Sequence, residues 1–200
     1  MVFVSDVWKK IKRMNMRQVL FKEINETKRE SDEEGVRAKY RCLTETLIEK
    51  KVTITTMESC TSGQIASLIT DTEGSSEIFK GAFITYSNEA KIMTGVSKET
   101  IESHGVYSAE TASEMAEVCR RKFQTDIGIG ITGSFGNADP NNSDSIPGEV
   151  FFAIALKDRI EGFHCLIPHQ KSRLDYKLYI ADAIADELLS FLQNSIEVEF

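Results

Sequence analysis

Cysteine is scarce in this 200-residue chain and nowhere paired. Cys42, Cys60, Cys119 and Cys165 lie far apart and form no Cys-x-x-Cys unit. That spacing offers neither a zinc site nor a disulfide framework, and free thiols in a reducing compartment are expected. Histidine is as sparse: His104, His164 and His169 are scattered, with no local pattern joining one to a nucleophile. No apolar run approaches the roughly 20 residues a membrane helix needs. The N-terminus lacks a secretory signal's apolar stretch, because Lys9, Lys10, Lys12 and Arg13 interrupt it early,. Nor is positive charge in excess. The net charge of −7 excludes a general attraction to nucleic acid or anionic lipid,. A cytoplasmic protein with no membrane or nucleic-acid partner is expected. An acidic chain can still bind a phosphate locally, through backbone N–H groups at a helix start.

What is present reads as one globular domain with an appendage. Hydrophobic residues make up 41% and charged residues 28%, an ordinary balance. Residues 1–35 stand apart. Val4, Val7, Trp8, Ile11, Val19 and Phe21 alternate with basic residues as far as Arg17, which fits one helix with a basic face,. Its expected role is packing on its own domain or a partner subunit, with a membrane-surface helix as the lesser alternative. The run from Lys28 to Gly35 reads as a linker or a solvated helix end.

From residue 36 to 200 strands alternate with helices. Val36, Tyr40, Leu43 and Leu47 recur at helical spacing,. Val52 to Met57 is a β-branched strand, and a helix follows Gly63. A strand over Ala82 to Tyr86 leads to helices over Asn88–Thr94, Lys98–Ser103 and Ala109–Phe123, with Ser97 and Ser108 placed to cap the last two. Asp126 to Thr132 is a buried strand containing glycine, and residues 133 to 148 form a polar loop. Strands at about 149–156 and 160–167 are joined as a hairpin by Lys157-Asp158-Arg159. A long helix follows Ser172. The expected fold is α/β: a three-layer α/β/α sandwich with a mixed, mostly parallel sheet.

Small hydroxyl residues crowd the strand-to-helix junction Glu58-Ser59-Cys60-Thr61-Ser62-Gly63. A serine there is either an ordinary N-cap or a nucleophile, with nearby N–H groups for an oxyanion or phosphate. It is not the Gly-x-Ser-x-Gly elbow of esterases. A nucleophilic serine needs a base, and lysine is the recognised substitute for histidine when its site is dry or cationic. Lys91 is a candidate; its plain alternative is a surface lysine. Thr132 and Gly133 end a buried strand, where α/β sheets place ligands, or serve the turn. Gly74-Ser75-Ser76 is an anion cradle or a turn. Arg173 is a bidentate phosphate ligand or a surface charge.

Several consecutive blocks resemble the CinA C-terminal domain family. They are Met57 to Gly63, Gly74 to Gly81, Thr85 to Lys91, Gly105 to Glu110 and Asp126 to Gly133, in matching order from about residue 37 to 195. Members of this family include nicotinamide mononucleotide amidohydrolases. The resemblance implies a compact three-layer domain, a homodimer or higher homo-oligomer, a small nucleotide substrate and no cofactor. By position it makes Ser59 the nucleophile, Lys91 its base and Tyr86 an assisting residue. It has Thr132 and Arg173 contribute to substrate or phosphate binding; Cys60, Thr61, Gly74, Ser75, Ser76 and Gly133 are the further expected substrate contacts. The chain departs from the family at Ser62, where glycine is usual, and in Ser134 to Asn142, where the family continues with Ile-Ala-Gly-Pro and further glycines. Many members also carry a large N-terminal domain of a molybdopterin-binding type, which the short basic segment is not expected to supply. The rival expectations are a noncatalytic nucleotide-binding module, an amidase for another small amide, and a cysteine hydrolase using Cys60.

Overall fold

The computed structural model describes residues 19–24, 32–140, 142 and 145–194. Strand β1 covers Val19–Glu23 and helix α1 Glu33–Lys50. Then come β2 (Ile54–Glu58), α2 (Gln64–Thr70), a single 3₁₀ turn (Ser75–Glu77) and β3 (Phe79–Ile84). Helices α3 (Asn88–Thr94), α4 (Lys98–His104) and α5 (Ala109–Phe123) follow. Strands β4 (Ile127–Gly133), β5 (Glu149–Ala155) and β6 (Ile160–Leu166) precede α6 (Arg173–Asn194). No helix among the described residues is long and apolar enough to cross a membrane.

The six strands form one sheet in the order β1-β6-β5-β4-β2-β3. Strand β5 alone runs against the rest: it pairs antiparallel with β4 and β6, whereas β1/β6, β4/β2 and β2/β3 are parallel. This is the mixed, mostly parallel sheet expected, with the β5–β6 hairpin turning at Leu156–Arg159. Strands β2 and β4 are buried throughout, as befits central strands covered on both faces,.

The alternation of β4 explains the three layers. Ile127, Ile129 and Ile131 join one core with Tyr40, Leu43 and Leu47 of α1, Ile65 and Leu68 of α2, and Ile180, Ile184 and Leu188 of α6. Gly128 and Gly130 point the other way, beneath α5. A Cβ on Gly128 would lie 2.3 Å from the Ala116 carbonyl oxygen, and one on Gly130 would lie 2.2 Å from that of Ala112. Helix α5 therefore rests on bare backbone, antiparallel to β4, with its N-terminus at the strand's C-terminal end. We expect Gly130→Ala to cost about 2 kcal/mol by overpacking, measured by urea denaturation; a loss under 0.5 kcal/mol would show that the contact is slack.

One expectation needs correction. Val19 and Phe21 belong to an edge strand, not to the end of a basic helix; the rest of that expected helix lies outside the described residues. Pairing with β6 supplies the order that five residues cannot supply alone. Of the two readings of the charged run, its end is the solvated helix end: Asp32 caps α1 by accepting the Gly35 N–H at 2.7 Å, and Glu33 and Glu34 are exposed,. The two serine caps divide. Ser108 accepts from the Thr111 N–H, whereas Ser97 makes no side-chain cap bond.

Candidate active site

The C-terminal ends of β2 and β4 lie side by side, where open α/β sheets place their ligands,. Ser59 is the first residue beyond β2. Its N–H bonds the Ile131 carbonyl at 3.0 Å, and the preceding Glu58 carbonyl accepts from the Thr85 N–H at 2.8 Å. The serine is thus clamped between β4 and the segment leaving β3. That segment runs through Thr85 and Tyr86 to Ser87, which caps α3 through the Ala90 N–H. One turn into α3, Lys91 turns inward.

Lys91 is 1% exposed and Ser59 is 6% exposed. The lysine Nζ donates to Ser59 Oγ at 3.0 Å and to the Thr85 carbonyl at 2.9 Å. No carboxylate among the described residues forms an ion pair with it. Burial pushes the ammonium pKa down from 10.5 to about 8, with the negative charge of Asp139 opposing,. A neutral amine in this place keeps one hydrogen on Thr85 and turns its lone pair toward the serine hydroxyl. Of the two readings the sequence left for Lys91, the structure excludes a surface lysine.

Glu58 decides what the helix start can do. Its carboxylate is wholly buried and accepts from the N–H groups of Gly63, Ile65 and Ala66 at 2.8, 3.2 and 2.9 Å, and from the Thr56 hydroxyl at 3.0 Å. The α2 N–H groups are occupied by this side chain and are not available to a phosphate. The amides of Cys60 and Thr61 instead have no backbone acceptor among the described residues. Burial pushes the Cys60 thiol up to about 12, so it stays protonated at neutral pH and is no thiolate nucleophile,. Ser62 adopts the left-handed region at φ 52°, which accounts for the glycine usual there,.

Two cavities, of about 340 and 290 Å³, meet at the nucleophile; Ser59, Tyr86, Tyr107 and Asp139 line both. Tyr86 stands 62% exposed at the mouth, where its hydroxyl accepts from Arg173 at 3.2 Å. Arg173 and Gly133 line the second cavity with Cys60. Other expected contacts lie elsewhere. Thr132 is buried and donates to the Val106 carbonyl, tying β4 to the segment before α5. Thr61 is buried outside both cavities, its hydroxyl without a partner. Gly74, Ser75 and Ser76 form the turn before β3, beside the start of β2. That is roughly 16 Å of strand away from Ser59.

Three contributors were not singled out in the sequence. Glu58 precedes the helix start like an ordinary acidic residue. Tyr107 sits in a recognised block but carried no assigned role. Asp139 lies in the loop that departs from the family pattern. Tyr107 donates its hydroxyl to Asp139 at 2.6 Å, and Asn142 donates its side-chain amide to the same oxygen at 2.6 Å. Asn88 of α3 bonds Asn142 in turn at 3.2 Å. None of the three histidines lines either cavity.

The CinA C-terminal domain family matches residues 38–191. A CinA-like protein of Flavobacterium psychrophilum is 47% identical over 130 residues, 62% of this chain and 30% of that protein. Among solved structures, a competence or damage-inducible protein from Enterobacter asburiae superposes with a TM-score of 0.72 at 28% identity, covering 78% of this chain and 98% of that one. The competence/damage inducible protein CihA from Agrobacterium tumefaciens gives 0.72 at 25% identity, covering 79% and 95%. The chain spans about a third or less of the length of the curated relatives it matches.

Proposed function

Because the chain belongs to the CinA C-terminal domain family, we propose that it is an amidohydrolase that releases ammonia from nicotinamide mononucleotide, with Ser59 as nucleophile and Lys91 as base. The observation that carries this reading is the 3.0 Å contact between a dry lysine and a buried serine, at the junction of two cavities. A module that only binds a nucleotide has no use for a nucleophile in contact with a base whose charge is suppressed.

The steps follow from the geometry. Neutral Lys91 takes the Ser59 proton as Oγ bonds to the carboxamide carbon. The amides of Cys60 and Thr61, which no backbone carbonyl among the described residues occupies, are assigned to the oxyanion that forms,. The carbon–nitrogen bond then breaks, and the leaving group takes the proton from Lys91 to depart as ammonia. Water attacks the resulting ester with Lys91 again as base, which yields the carboxylate of nicotinic acid mononucleotide and restores Ser59. Arg173 and Tyr86 at the mouth supply a guanidinium and a phenol to the phosphate end.

The test is ammonia release from nicotinamide mononucleotide, measured beside nicotinamide riboside, nicotinamide and a panel of unrelated small amides. Preferential release from the mononucleotide is the expected result. Release from a different amide alone would retain the chemistry and overturn the substrate. Release from none would overturn the amidase.

A further inference from the structure

An aromatic pair forms part of the wall at the second cavity. Phe135, two residues past β4, lines that cavity and is buried. Its ring stacks on that of Tyr176 in the first turn of α6, with centroids 5.4 Å apart and planes 21° apart. The backbone holds the ring firmly. Gly136, at φ 67°, lets the chain double back so that the Asn137 N–H reaches the Phe135 carbonyl at 2.7 Å,. The Ser134 hydroxyl closes the same turn by donating to the Asn137 carbonyl at 2.7 Å.

Arg173 starts α6 three residues before Tyr176, so the two side chains share one side of the helix,. Its guanidinium carbon lies over the Phe135 ring, 5.8 Å from the centroid, within reach of cation–π attraction,. One of its nitrogens donates to the Tyr86 hydroxyl at 3.2 Å. Both partners are neutral: they direct the guanidinium and leave its charge in place. An exposed arginine gives up rotamer freedom when it grips an anion, and a floor that holds it beforehand lowers that cost. Resting on the amidase reading above, we propose that Phe135 is a positioning residue for anion recognition: its ring holds the Arg173 guanidinium at the second cavity, ready for the phosphate end of the substrate. Phe135 lies in the segment where this chain leaves the family pattern, so the device belongs to this chain's own loop.

The test compares nicotinamide mononucleotide with nicotinamide riboside, which lacks the phosphate. Binding is measured by calorimetry in the Ser59→Ala chain, which prevents turnover. Phe135→Leu keeps an apolar side chain of similar size but removes the ring; it should weaken the mononucleotide about fivefold and the riboside less than twofold. Phe135→Tyr keeps the ring and should keep the preference for the phosphorylated ligand, whether or not the leucine variant folds. Arg173→Gln should weaken the mononucleotide about tenfold, and adding Phe135→Leu to it should change nothing further. Inorganic phosphate, titrated while the Arg173 Nε–H resonance is followed, is a probe free of the ring: it should bind the parent chain and bind less tightly after Phe135→Leu. Equal weakening of both ligands by Phe135→Leu would show a merely structural prop and overturn the proposal. So would a Phe135→Leu effect that persists beside Arg173→Gln, or a parent chain whose Arg173 does not respond to phosphate. Ammonia release by the native chain judges the amidase reading separately: a phosphate site dependent on Phe135 without release would sink that reading alone, and release without that dependence would sink this inference alone.

Discussion

Ser59→Ala and Lys91→Met are each expected to lower ammonia release by about 10³-fold or more while leaving the chain folded. The two side chains act as one unit across 3.0 Å, so the double variant should be no worse than either single one. That non-additivity distinguishes a nucleophile–base pair from two independent binding contacts. The pH dependence carries a second signature. The base works when neutral, so kcat/KM should rise about tenfold per pH unit below pH 8 and level off above it, following a lysine held at about 8,. A flat profile between pH 6 and 9, with Lys91→Met still active, would remove Lys91 from the chemistry.

The same burial predicts an opposite effect on stability. A lysine displaced from 10.5 to about 8 costs the folded state about 3 kcal/mol at neutral pH. Between pH 8 and 10.5 the unfolded chain binds the extra proton, so stability rises with pH across that window. Lys91→Met removes this cost but leaves the Thr85 carbonyl without its donor, a loss of about 1–2 kcal/mol,. The net expectation is a gain of about 1 kcal/mol at pH 7 that disappears near pH 10, read by urea denaturation at both values.

The largest expected structural effect falls on Glu58. Glu58→Leu strands three backbone N–H groups and the Thr56 hydroxyl in the interior. Each orphaned donor costs about 1–3 kcal/mol, and some will find water, so a loss of about 4 kcal/mol is expected. That is about a quarter or more of the stability of an ordinary domain. Glu58→Gln keeps one acceptor oxygen but sets an NH₂ group against N–H donors, and should cost about 2 kcal/mol. Denaturant midpoints measure both. If Glu58→Leu costs under 1 kcal/mol, water serves these amides and Glu58 is not what holds the start of α2. Activity should fall in Glu58→Gln as well, because Ser59 follows directly and its position depends on that turn.

The bounds of α3 and α5 and the β5–β6 hairpin were legible from the chain, because apolar periodicity, capping serines and turn residues are local properties. Strand β1 was not. Five residues carry no strand period of their own against a basic background, and their conformation comes from β6, more than a hundred residues later. Gly74-Ser75-Ser76 looked like a cradle because glycine and serine suit turns and anion sites equally; only the parallel pairing of β2 and β3 sets it at the far end of the sheet from Ser59.

The chemistry divides along the same line. By itself the sequence determined the residue types on offer: a serine at a strand-to-helix junction, a lysine just after the next strand, and no histidine pattern to compete with it. Those follow from identity and spacing, and spacing survives folding. Only the tertiary structure decided that Lys91 is buried against Ser59, that Glu58 occupies the N–H groups at the start of α2, and that Asp139 lines the same cavities as the nucleophile. A base's proton affinity and a carboxylate's partners depend on solvent exclusion and on neighbours distant along the chain, and neither is a property of any stretch of sequence.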